Sequence, residues 1–94
     1  MEDLKLEELR SELDKLDQTL LSIVKQRIDC CIEIGHYKRE NNVAMMQPHR
    51  IEYVKQKAAN FGKKNNVSPE FLKEMYDLII TETCRVEDIV IANI

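Results

Sequence analysis

Ninety-four residues carrying 14 basic and 17 acidic side chains, for a net charge of −3, describe one small domain, residues 1–94, whose interspersed charges leave no broad positive face for nucleic acid. No apolar run approaches the ~20 residues of a membrane span, and the opening MEDLKLEELR is acidic and amphipathic where a signal peptide is basic and then apolar, so a cytoplasmic protein is expected. Three cysteines, with Cys30 and Cys31 adjacent and Cys84 far off, give neither a disulfide framework nor a zinc spacing and read as reduced core thiols, while two glycines, two prolines and no tryptophan fit an all-helical chain.

The first element is a helix from Asp3 to about Arg39. Leu6, Leu9, Leu13, Leu16, Leu20 and Ile23 recur at steps of three and four and keep one side turned to a partner. Further steps land on Arg27, Cys30, Ile34 and Tyr37, so an arginine stands where the pattern asks for a leucine. A lone buried guanidinium costs several kcal/mol unless an anion meets it, which marks Arg27 as part of a site. At ~1.5 Å per residue this helix is about 55 Å long. A compact chain of this size is only roughly 30 Å across. One copy cannot cover its own longest helix, and a homodimer whose long helices share a core is expected.

The second half of that helix mixes charged and apolar residues on every side. Gly35 stands inside it, where glycine costs ~1 kcal/mol relative to alanine. A close backbone approach, to another helix or to a ligand, is the usual reason. Asn41 and Asn42 end the helix, since asparagine tolerates left-handed backbone, and Val43 to Gln47 reads as a loop that includes Met45 and Met46. Pro48 fits the first position of a second helix, which carries Ile51, Val54, Ala58 and Phe61 and ends near Gly62. Lys63 to Val67 is a short polar connection. Ser68, Pro69 and Glu70 then make a helix start, with Ser68 as N-cap. The third helix runs to about Ala92 on a core line of Leu72, Met75 or Tyr76, Ile79, Thr83, Val86 and Val90, with Glu87 one turn beyond Thr83. His36 and His49 read as solvent-facing.

The three helices therefore carry polar groups on or beside their core faces: Arg10, Arg27 and Lys38 on the first, Arg50 on the second, Thr83 and Glu87 on the third. Arg27 and Lys38 are eleven residues apart, about three turns, and share a face between which a small polyanion fits. Spacing alone does not say which polyanion.

Five segments taken in order, LRSELDKLD (Leu9 to Asp17), LLSIVKQR (Leu20 to Arg27), IGHYKRE (Ile34 to Glu40), QPHR (Gln47 to Arg50) and LIITETCRVE (Leu78 to Glu87), make the chain resemble the all-helical chorismate mutase family. That resemblance implies an intertwined three-helix homodimer with shared active sites, a small dicarboxylate substrate, and neither cofactor nor metal. It implies that Arg27 binds one substrate carboxylate, that Arg10 reaches in from the other subunit, that Lys38 donates to the ether oxygen, and that Arg50 opens the second helix at the site. Thr83 takes the place of a serine, and Glu87 that of a glutamine which in many bacterial members is the second donor to that oxygen. A glutamate donates only when protonated.

A second departure lies at Gln47-Pro48-His49-Arg50-Ile51, where many members read Asp-Pro-x-Arg-Glu and use the acid on the C4 hydroxyl. Through HYKRENN, MMQPHR and ETCRVED the chain resembles the 4-amino-4-deoxychorismate mutases of antibiotic pathways, which implies a substrate with an amine at C4. Chorismate itself stays open as substrate, as does the lyase reaction of the isochorismate pyruvate lyases, which share the fold. The non-enzymatic alternative is a helical dimerisation or adaptor module whose arginines dock an acidic peptide.

Overall fold

A computed structural model, which describes residues 3–44 and 47–92, folds the chain into three helices, α1 (Leu4–Glu40), α2 (Pro48–Asn65) and α3 (Pro69–Ala92), with no strand among the described residues. The chain divides into two compact units, residues 1–30 and 31–94. None of the described helices is long and apolar enough to cross a membrane.

The first unit is the leading part of α1. Every residue from 3 to 26 is exposed, and the predicted stripe of Leu6, Leu9, Leu13, Leu16, Leu20 and Ile23 lies between 41% and 66% exposed. Asp3 caps the helix start, its carboxylate accepting the Leu6 N–H at 3.2 Å.

The second unit pairs α2 with α3. Ala58, Ala59 and Gly62 are the buried positions of α2, and their small side chains let the two helices close up. Lys55 donates to Asp77 at 2.7 Å to join them. The α3 core line is as expected, with Leu72, Met75, Tyr76, Ile79, Val86 and Val90 half-buried and Thr83 and Glu87 buried.

Four side chains depart from their predicted places. Phe61 is 56% exposed, because α2 turns the line through Ala58, Ala59 and Gly62 towards α3 and Phe61 sits off it. In α1 the buried face beyond residue 30 is Cys31 and Gly35, with Lys38 half-buried, and the extrapolated Cys30, Ile34 and Tyr37 stay exposed. A strict heptad extrapolation follows one side of the helix, whereas α3 covers the side one residue round. Cys30 is accordingly no core thiol; Cys31 is buried, Cys84 is half-buried, and none of the three is in a disulfide.

The connections are set by two left-handed asparagines. Asn42, at φ 55°, lets the Val43 N–H return to the Lys38 carbonyl at 2.9 Å. Met45 and Met46 of the predicted loop lie outside the described residues, and Gln47 precedes Pro48 as the cap of α2. Asn66, at φ 59°, ends α2 three residues beyond the predicted stop at Gly62, so Lys63 to Asn65 are helical. Gly62 serves the turn instead. A Cβ there would lie 2.5 Å from the Val67 carbonyl oxygen and 3.1 Å from Leu72 Cδ1. Gly62→Ala is therefore expected to lower the melting temperature, an overpacking cost of about 1–3 kcal/mol outweighing the ~1 kcal/mol that alanine gains in a helix. An unchanged or raised melting temperature would contradict that close return. Ser68 then caps α3, its Oγ accepting the Phe71 N–H at 3.2 Å.

Candidate active site

Of the predicted site residues, the second unit brings together Lys38, Thr83 and Glu87. Lys38 stands in the last turn of α1, and Glu87 faces it from α3 with its Oε1 accepting from the Lys38 ammonium at 2.9 Å. The two side chains are only 14% and 9% exposed, while the pairs Arg10–Glu7 and Lys25–Asp29 lie open to solvent. Breaking a buried pair by deleting one partner costs about 3–5 kcal/mol, because a charge is left alone in a poor solvent. An ammonium has three donors, however, and Glu87 Oε1 takes one.

Thr83 is one helical turn before Glu87 and 5% exposed. Its hydroxyl donates to the Ile80 carbonyl at 3.2 Å, so it offers lone pairs outward and becomes a donor only by releasing its own helix. Cys84 lies beside the same pair. Burial pushes its thiol above the ordinary range, the Glu87 carboxylate adds to that, and the Lys38 ammonium opposes it. A protonated thiol and an engaged hydroxyl leave little nucleophilic power. What the arrangement holds ready is an enclosed cation fixed against a carboxylate.

Gly35 is the close approach that its place in the helix predicts, and its neighbour is α3. A Cβ built on it would lie 3.4 Å from Val90 Cβ and Cγ1 and 3.5 Å from Glu87 Cα. Val90 is legible as core but carries no sign of this contact, and the resemblance, which brings Lys38 and Glu87 to one ether oxygen, does not pair the two with each other.

Arg10, Arg27, Gln47 and Arg50 complete the predicted set. Arg10, in the first unit, is exposed and paired with Glu7 at 3.0 Å. Arg27, also in the first unit, is half-buried on α1. Gln47 is half-buried at the start of α2, its carbonyl accepting the Arg50 N–H at 3.0 Å and the Ile51 N–H at 3.3 Å, and its side chain makes no cap bond. Arg50 is exposed and lies over the Tyr53 ring at 5.0 Å, a cation–π contact that holds the guanidinium on the helix surface. His36 and His49 are exposed, as expected.

Comparison with known proteins gives a family and relatives. A family model described as chorismate mutase type II matches residues 9–88. A 4-amino-4-deoxychorismate mutase of Streptomyces pristinaespiralis is 50% identical over 88 residues, 94% of this chain and 68% of the relative. Another, from Streptomyces venezuelae, is 48% identical over the same share of this chain and 85% of its own. A bifunctional chorismate mutase/prephenate dehydratase of Buchnera aphidicola is 28% identical over 74 residues, which is 79% of this chain and 19% of the larger protein.

Proposed function

This chain belongs to the chorismate mutase type II family, and we propose that it is an isomerase converting 4-amino-4-deoxychorismate to 4-amino-4-deoxyprephenate. The observation that carries the substrate is the identity of about half over 94% of the chain to two mutases of that amino compound. The absence of an acid at Gln47 and Ile51 supports it, since those positions lack the acceptor that a C4 hydroxyl uses in many members.

In this rearrangement one C–O bond of the ether breaks as one C–C bond forms, within a single molecule, so no nucleophile is needed. The protein's work is to hold a flexible dicarboxylate in its reactive conformer and to set donors where negative charge builds on the ether oxygen. Lys38 carries the main donor role, its ammonium held by Glu87 until substrate arrives. The incoming anion then takes over as counterion of Lys38, and Glu87, which donates only as the neutral acid, stands at the place of the second donor. Arg27 and Arg50 bind the carboxylates, Thr83 and Gln47 border the ring, and Arg10 enters from a second copy.

That second copy is part of the proposal: residues 1–94 act as one domain of a homodimer. Six leucine and isoleucine side chains in a row on α1 stay about half exposed, and each is worth roughly 1.5–3 kcal/mol when fully buried. Among the described residues the buried apolar side chains are Cys31, Ala58 and Ala59, too few to hold a domain. Introducing aspartate at Leu13 or Leu16 is expected to abolish the dimer in sedimentation equilibrium and to unfold the chain with it. A folded, intact dimer in either variant would remove the shared-core assembly.

The deciding experiment offers the purified protein 4-amino-4-deoxychorismate, chorismate and isochorismate together and resolves the products by NMR. The amino-prephenate is the expected product. Prephenate would move the assignment to chorismate, pyruvate from isochorismate would make the protein a lyase, and silence on all three would return it to a binding module.

A further inference from the structure

We infer that Gly35 and Val90 form a positioning contact that sets the spacing of α1 and α3 at which Lys38 meets Glu87. The inference rests on the proposed role of that pair, and it names two residues that touch neither substrate nor each other's polar groups. A glycine weakens a helix interior, and Gly35 is buried in the middle of one turn leading to Lys38. With a hypothetical Cβ already 3.4 Å from Val90 and 3.5 Å from the Glu87 backbone, a methyl group just fits and nothing larger does.

The consequence is geometric. Glu87 Cα is itself in contact with position 35, and Lys38 stems from the same helix three residues on. Any side chain that pushes α3 away at position 35 carries Glu87 away from the root of Lys38. Both side chains are largely enclosed, so neither swings freely to make up the distance. A displacement of about 1 Å at a catalytic group is enough to cost roughly 10²-fold in rate.

The test compares Gly35→Ala, Gly35→Leu, Val90→Leu and the double variant Gly35→Leu/Val90→Ala. Two readouts are taken on the folded fraction well below the melting temperature: the split of kcat against KM, and the 15N–1H signal of the Lys38 ammonium, which a buried and paired amine protects from solvent exchange. Alanine at position 35 is expected to cost a few-fold at most. Gly35→Leu is expected to lower kcat about 10²-fold with little change in KM, because the cations that attract the dicarboxylate remain, and to weaken or erase the Lys38 signal. Val90→Leu enlarges the same contact from α3 and should do the same, which keeps the test decisive if Gly35→Leu does not fold. The double variant should recover most of both readouts.

Folded Gly35→Leu or Val90→Leu protein with wild-type kcat and an unaltered Lys38 signal would overturn the inference. So would a well-folded double variant that recovers neither. If the wild-type protein turns over none of the three chorismate-type substrates, the proposed function fails by itself, and the Lys38 signal still reports whether Gly35 and Val90 set the pair.

Discussion

Lys38→Ala lowers kcat by about 10³-fold or more, the range expected when a donor aimed at developing negative charge is removed. A continuous ultraviolet assay of substrate loss measures it. The variant also leaves Glu87 buried without its partner, and that costs about 3–5 kcal/mol of stability. Loss of activity from unfolding must therefore be separated from loss of chemistry. The double variant Lys38→Ala/Glu87→Gln removes the stranded charge, and it is expected to recover most of the lost melting temperature while staying inactive. Retained turnover in a folded Lys38→Ala protein would take the donor role away from this residue.

The second large effect is at Glu87. A carboxyl donates to an ether oxygen only in its protonated form. Glutamine at this position donates at every pH. Glu87→Gln should therefore keep substantial activity. It should also bind substrate more tightly, because a negative charge has been taken out of a site for a dicarboxylate and Lys38 no longer has to be released. Glu87→Ala removes the donor altogether and is expected to cost about 10²–10³-fold in kcat. A folded Glu87→Ala protein with wild-type kcat would argue that Glu87 never donates and serves only to hold Lys38. Thr83 makes a smaller contribution by comparison, since its hydroxyl is engaged with the Ile80 carbonyl.

Much of the architecture is written in local signals. Pro48, the Ser68-Pro69-Glu70 run and the paired asparagines at 41 and 42 act within a turn or two of themselves, and helix bounds follow from them to within a residue at most ends. The end of α2 escaped because glycine is read as a stop, while here the left-handed residue is Asn66 and Gly62 is used for the room it leaves. The side of α1 that is buried escaped for a different reason. Periodicity gives the angle between residues on one helix, but the direction from which a second helix approaches is absent from it.

Helix propensity, capping and short motifs act over a few residues, so the three helices, the apolar stripe of α1, the family and the residue types of the site are legible along the chain. Which of those side chains touch depends on how the helices pack. Lys38 and Glu87 are 49 positions apart, and their contact at 2.9 Å exists because the small surface of Gly35 lets α1 lie against Val90 of α3. That is a property of packing between helices, and no pattern within either helix encodes it.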